Sequence, residues 1–168
     1  MNLQDSEIPP WVQPDLSKLL TVEKSTEAFG SRSTSRVSLP PGALFARITT
    51  VTIASDKAWS SVQAGPNLHL DLNSDLLYTN HSCDPSLVFD MKRYEVRVVD
   101  NKPLKVGDTL TYFYPSTEWE FAQPFECKCG AGGGKCKVWI AGAKDMKKEH
   151  LVDYWLNDHI RKLLATRN

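Results

Sequence analysis

The sequence carries no excess of either charge. Its 20 Lys and Arg are matched by 20 Asp and Glu, a formal net charge of zero. That speaks against a general nucleic-acid or membrane-surface binder, which carries a basic excess. Long hydrophobic runs are also missing: nothing approaches the roughly 18 apolar residues of a membrane-spanning helix. The opening stretch MNLQDSEIPPWVQPDL has neither a basic start nor an apolar core, so no secretory signal is expected. Cysteine is scarce, 4 in 168 residues. Without a signal these thiols are expected in a reducing intracellular compartment, cytoplasmic or nuclear, where metal binding is commoner than disulfides. There is no internal repeat, and the one low-complexity patch is Gly132-Gly133-Gly134. A chain of this length buries roughly 70% of its unfolded surface, enough for one domain without staples. A monomer is expected.

Pro9, Pro10 and Pro14 break the first stretch, so residues 1–20 are read as an extended arm; partial disorder is the favoured reading for it, and docking of Trp11 and Leu16 on the body is the alternative. The middle is rich in strand formers. Leu39-Pro40-Pro41-Gly42 is a turn signal, and residues 43–54 after it form one long strand or two short ones. Leu68, Leu70 and Leu72 alternate with polar residues. Leu87-Val88-Phe89, Tyr94 to Val98 and Thr109 to Tyr114 are further short strands. Many short strands with few helices predict a mainly β fold of small sheets, not a parallel α/β fold. From Lys144 to Thr166 there is no Pro or Gly. Leu151, Trp155, Leu156, Ile160, Leu163 and Leu164 fall near helical spacing, which predicts an amphipathic C-terminal helix packed on the body.

Two clusters carry the chemistry: Asn80-His81-Ser82-Cys83-Asp84-Pro85, and Phe125-Glu126-Cys127-Lys128-Cys129-Gly130 closed by Cys136. All four cysteines lie in them. Structural zinc takes four ligands in tetrahedral array, and thiolates suit it. Cys127 and Cys129 can reach one ion from a tight turn. Cys136 follows across a glycine loop, and Cys83 is the remaining thiol. The other reading is four unrelated buried cysteines.

These residues resemble those of the SET-domain protein lysine methyltransferases. Asn80 to Pro85 looks like that family's NHSCxP signature. Gly107-Asp108-Thr109-Leu110-Thr111-Tyr112-Phe113-Tyr114 looks like its tyrosine strand, and Phe125 to Cys136 like its zinc-binding post-SET segment. Gly30, twelve residues before Gly42, matches the spacing from its glycine-rich opening motif to its proline turn. The resemblance spans about residues 24–142. It implies a SET fold of small curved sheets with a pseudoknot. The parts are an arm over 1–20, a SET domain over 21–118, a post-SET zinc segment over 119–142 and a C-terminal helix over 143–168. It also implies S-adenosylmethionine and Zn2+ as cofactors, and a protein or peptide lysine as substrate, with no direct nucleic-acid or membrane binding.

By the same resemblance Tyr114 is the catalytic tyrosine, and Tyr112 a switch that limits how many methyl groups the amine receives. Gly30, Ser31, Arg32, Asn80, His81, Tyr114 and Lys128 hold the cofactor. Cys83, Cys127, Cys129 and Cys136 hold the metal. Read without the family, Tyr112 and Tyr114 are strand tyrosines packing a core, and Asn80 and His81 cap a loop. Trp119, Phe121 and Phe125 either line the lysine channel or pack the cysteines, and His69 is structural or solvent-facing. The chain departs from the family pattern at Arg32, Leu77, Ser86 and Phe113, and in a longer Cys129–Cys136 spacing. These departures keep open an alternative: a SET-fold pseudoenzyme that binds cofactor or a protein segment without transferring methyl.

Overall fold

The computed structural model describes residues 15–27, 30–58 and 60–167. Trp11 and most of the N-terminal arm lie outside the described residues. The end of the arm is not extended. A single helical turn, α1 (Leu16–Leu19), is capped by Asp15, whose carboxylate accepts from Ser17 N at 3.1 Å. Leu20 then begins β1 (Leu20–Glu23), which pairs antiparallel with β2 (Arg32–Ser35). Leu16 packs on the core, as its docking role requires.

The predicted strand over 43–54 is two short ones, β3 (Leu44–Arg47) and β4 (Thr52–Ile53). After β5 (Ser61–Gly65) and β6 (Leu68–Asp71), the order β4-β6-β5 makes one three-stranded sheet. Next come β7 (Asn80–His81), β8 (Leu87–Asp90) and β9 (Glu95–Val98), and β3-β9-β8 makes the other. In the second sheet Leu87 lies opposite Val98 and Phe89 opposite Val96, all nearly sealed from water. The Leu39–Gly42 turn holds: Gly42 has φ of +77°, and a Cβ there would crowd Asp100 Oδ1 at 3.1 Å.

The tyrosine strand is shorter than its sequence suggests. Thr109 makes an isolated antiparallel bridge to Thr34, β10 (Thr111–Tyr112) pairs parallel to β7, and the chain then turns through a 3-10 turn at Tyr114–Ser116. Pro115 cannot donate to a ladder, which ends the strand there. β11 (Phe125–Glu126) and β12 (Trp139–Ile140) close the cysteine segment as a small antiparallel pair. The fold is mainly β and built of small sheets.

The C-terminal stretch departs most from expectation. Only α2 (Asp158–Ala165) is α-helix; 3-10 turns at Ala143–Asp145 and Lys148–His150 precede it. The reason lies in which residues the fold buries. Ala143, Met146, Leu151, Leu156 and Ile160 are all within 8% of full burial. Their uneven spacing does not put them on one face of a straight helix, whose period is about 3.6. The chain satisfies them by wrapping. No helix among the described residues is long and apolar enough to cross a membrane.

The apolar interior forms two clusters. One takes Phe45, Leu87, Phe89, Val96, Leu110 and Tyr112; the other takes Cys83, Phe113, Cys127, Ile140, Leu151 and Ile160. Tyr112 and Phe113 are consecutive, so strand alternation sends one ring into each. Asn157 ties the two together from the C-terminal side. It is 1% exposed. Its Oδ1 accepts the Met91 N–H at 2.8 Å, and its Nδ2 donates to Phe89 O at 2.8 Å and Ser116 O at 2.9 Å.

Asn157→Ala leaves the Met91 N–H and the Phe89 carbonyl buried without partners. It should destabilise the fold by about 2–4 kcal/mol, read as a fall in the urea midpoint at unchanged slope.

Candidate active site

The parallel β7–β10 pair assembles the site. Thr111 lies opposite Asn80 and Tyr112 opposite His81, and Ser82 N–H donates to Tyr112 O at 3.0 Å. His81 then reaches past the ladder. Its Nδ1 accepts the Tyr114 N–H at 3.1 Å, which leaves Nε2 as the protonated nitrogen, 3.4 Å from Cys83 Sγ. Burial holds this imidazole down to about 3, so it is neutral at physiological pH.

Asn80 faces the other way. Its Nδ2 donates to Ser31 O at 2.7 Å, and Ser33 Oγ donates to Tyr78 O at 3.1 Å. The Ser31–Arg32 segment is thereby pinned to the Asn80 loop. Gly30 precedes it in close quarters: a Cβ there would sit 2.6 Å from Ser25 Oγ. Arg32 Nε is engaged with Glu23 Oε2 at 2.7 Å on the neighbouring strand, both half exposed. A surface pair of this kind is worth little and opens readily. Lys128 is exposed between Cys127 and Cys129.

Tyr114 is ringed by aromatics. Tyr112 is tilted against it at 4.7 Å between centroids, His81 lies edge-on at 5.3 Å, and Phe121 and Phe125 lie edge-on at 6.4 Å. Phe121 and Phe125 stack on one another at 5.9 Å. The Tyr114 hydroxyl donates to Thr79 O at 3.2 Å. Burial first, and the Glu118 charge second, push its ionisation well above the usual phenol range, so it stays a neutral phenol. Tyr112 is pushed up too, by burial and then by Tyr114 and Glu118. Its ring stacks on Phe89 at 4.3 Å. Trp119, Phe121 and Phe125 all pack against the cysteine-side cluster, and the Trp119 backbone N–H donates to Gln63 Oε1 at 2.8 Å.

The four cysteines converge. The sulfurs of Cys83, Cys127, Cys129 and Cys136 all lie within 4.8 Å of one another, and Cys83 Sγ to Cys127 Sγ is 3.8 Å. A tetrahedron of thiolates about 2.3 Å from zinc has edges of roughly 3.8 Å, so the spacing fits. Cys83 Sγ also takes the Lys137 N–H at 3.3 Å besides the His81 contact. N–H donors aimed at a sulfur are the surroundings of a thiolate. Burial raises the free thiols of Cys83 and Cys127, the former to about 11. Cys129 is shifted the other way, down to about 7, by hydrogen bonds from its neighbours. An ion shared by the four sulfurs would ionise the remaining thiols.

Comparison with known proteins places this geometry. No family model matches the chain. The methyltransferase flvH of Aspergillus flavus is 51% identical over 158 residues, covering 94% of this chain and 88% of that protein. The chain belongs to this methyltransferase family. A solved structure of KRYPTONITE, in complex with mCHH DNA, an H3(1–15) peptide and SAH, superposes with a TM-score of 0.51 at 22% identity. The match covers 71% of this chain and 29% of the other, so the chain spans under a third of KRYPTONITE's length. At that identity the likeness concerns the fold, which is the SET-domain methyltransferase fold.

Several residues of this candidate site have no counterpart in the sequence motifs. Glu118 acts by its charge on both tyrosines and accepts the Gln63 N–H, and Tyr154 donates to Cys83 O at 2.6 Å from the far end of the chain. The one local signal is an acid, Glu118, four residues after Tyr114 and next to Trp119. His69 has a buried Nδ1 without a partner among the described residues, consistent with a structural role.

Proposed function

We propose that this methyltransferase transfers methyl groups from S-adenosylmethionine to a lysine side chain of a protein or peptide. It works as a monomer in the cytoplasm or nucleus, with one structural zinc and no direct nucleic-acid contact. The observation that carries the reading is the setting of Tyr114: a neutral phenol among aromatic faces with the Thr79 carbonyl on its hydroxyl, and next along the chain Asn80, which holds the Ser31 carbonyl. Carbonyl oxygens, a phenol oxygen and ring faces are the partners a sulfonium takes. The KRYPTONITE structure holds SAH and a histone peptide, which supports this cofactor class and a peptide substrate.

S-adenosylmethionine supplies the methyl group. Asn80, His81 and the Gly30–Arg32 segment are the residues to hold it, with Arg32 free to exchange Glu23 for a carboxylate and Lys128 beside the cysteines. Tyr114 spends its own proton on Thr79 O, which leaves its oxygen lone pairs to orient the substrate amine. The rings of Phe121 and Phe125 exclude water from that amine and so favour its neutral form. Alignment and electrostatics are then the main catalytic contributions. The cysteine site acts at a distance. Through His81, which touches Cys83 Sγ on one side and Tyr114 N–H on the other, the ion and the catalytic tyrosine share one rigid support.

The test is methyl transfer from labelled S-adenosylmethionine to a lysine peptide array that includes H3(1–15). Tyr114→Phe should cut transfer by about 10²-fold or more and leave cofactor affinity nearly unchanged. Asn80→Ala should weaken cofactor binding instead. The reverse pattern would exchange the two roles.

Metal analysis of protein purified without chelator should find about one zinc per chain. Cys127→Ser should lose it and expose the segment after residue 120 to proteolysis. Zinc-free protein with an intact segment would contradict the site.

The product should stop at mono- or dimethyl-lysine. The Tyr112 hydroxyl sits beside Tyr114 and takes the room, or holds the water, that a further methyl group needs. Tyr112→Phe should raise the methylation state seen by mass spectrometry. Abundant trimethyl-lysine from the unaltered protein would refute the switch.

A further inference from the structure

Glu118 is clamped beside the tyrosine pair from three sides. Its N–H donates to Tyr114 O at 3.1 Å, its carbonyl accepts the Ala143 N–H at 2.9 Å, and its Oε2 accepts the Gln63 N–H at 2.9 Å. The clamp is close: a Cβ on Gly142 would collide with the Trp119 carbonyl, so that segment lies flat on residues 118–120. The Thr117 hydroxyl is a polar neighbour of both the Tyr112 phenol and the Glu118 carboxyl. The carboxyl lies near enough to Tyr112 and Tyr114 for its charge to act on both phenols. No cation forms an ion pair with it among the described residues, and the Lys57 charge acts on it only from beyond ion-pair distance. Burial pushes it up to about 7. A half-buried carboxylate facing two phenols with no cation of its own is a place for a cation that the substrate brings.

We infer that Glu118 is a further catalytic residue: its carboxylate binds the incoming primary ammonium of the substrate and takes a proton from it. This rests on the methyl-transfer reading above. The N–H bond breaks, its electron pair stays on nitrogen as the nucleophile's lone pair, and the proton sits on the carboxyl until it passes to water. The need is quantitative. An amine with a pKa of about 10.4 is neutral in only ~0.4% of molecules at pH 8. A carboxyl that prefers to be neutral in its pocket raises that fraction where it counts.

The test separates binding from transfer. n-Butylamine, the bare tail of a lysine, is titrated into the protein at pH 8 and followed by NMR shifts, with 1-butanol as the uncharged control. Glu118→Gln keeps an acceptor for Gln63 N–H. It should weaken n-butylamine binding about 10-fold or more and leave 1-butanol unchanged. Equal amine binding overturns the inference, whatever the protein methylates.

Should the variant not fold, the unaltered protein decides. Its n-butylamine affinity should rise about 10-fold from pH 6 to 8.5 as the carboxyl ionises, and a flat profile overturns the inference. The charged and titratable groups facing Glu118 leave that window clear. Tyr112 and Tyr114 are pushed up by burial, and burial holds His69 of β6 and His159 of α2 below the usual histidine range. On a methylated lysine peptide, Glu118→Gln should lose about 10²-fold in kcat/KM at pH 8 and recover more than tenfold of that by pH 9.5. A loss that does not change with pH overturns the proton role. Absence of transfer to any lysine peptide overturns the methyl-transfer reading instead, and the n-butylamine titration still decides Glu118.

Discussion

Two parallel residue pairs, Thr111 with Asn80 and Tyr112 with His81, carry the architecture of this protein. A two-residue parallel ladder is weak by itself, since parallel pairing is no stronger per residue than antiparallel and here has no length. It survives because both ends are fixed by other means. On one side Ser86 Oγ accepts the Thr111 N–H at 3.0 Å and donates to Thr109 O at 3.0 Å. On the other His81 Nδ1 takes the Tyr114 N–H. The ladder sets Tyr112 and Phe113 on opposite faces, and each face belongs to a different apolar cluster. A slip of one residue would exchange the two rings and unmake both clusters, so register is specified strongly despite the short ladder.

The second cluster exists because the chain does not stop at the cysteines. Residues 141–160 wrap the outer side of the cysteine segment and bring Asn157 against Phe89, Met91 and Ser116. The cysteine segment is thus held between the β body and the C-terminal wrap, and the four sulfurs meet at the junction. An ion there would fasten a junction that packing already forms. Packing alone leaves buried thiols whose ionisation is unfavourable, and a shared ion removes that penalty.

How much of this was legible in the sequence depends on how local each signal is. The two clusters around Asn80 and Cys127 and the strand at Tyr112 are contiguous motifs, and the structure brings their side chains together. The small-sheet architecture follows from short runs of β-branched residues separated by turns, such as Leu87 to Asp90 and Glu95 to Val98. The C-terminal helix was half legible. Residues 144–166 are good helix formers, yet tertiary burial of Met146, Leu151 and Leu156 overrode propensity over most of them, as it routinely does. Gln63, Glu118, Tyr154 and Asn157 were not legible. Each acts across 41 or more residues of sequence in at least one of its hydrogen bonds, and no spacing rule reaches so far.

Phe113 shows how a departure from a motif can be read once the packing is known. In sequence it stands where the resembled family has an aspartate, and it looks like a loss. In the structure it is 3% exposed and stacks flat on Tyr154, 3.6 Å between centroids and 5° from parallel. Tyr154 in turn donates to the Cys83 carbonyl and carries Lys137 over its other side at 5.6 Å. An aspartate at 113 would place a charge at the centre of this apolar contact, at a cost of several kcal/mol. Phenylalanine here and the C-terminal wrap therefore require one another. The substitution is a condition of the second cluster, and it leaves the neighbouring Tyr112 and Tyr114 on the other face of the chain, where their hydroxyls remain with Thr79, Thr117 and Glu118.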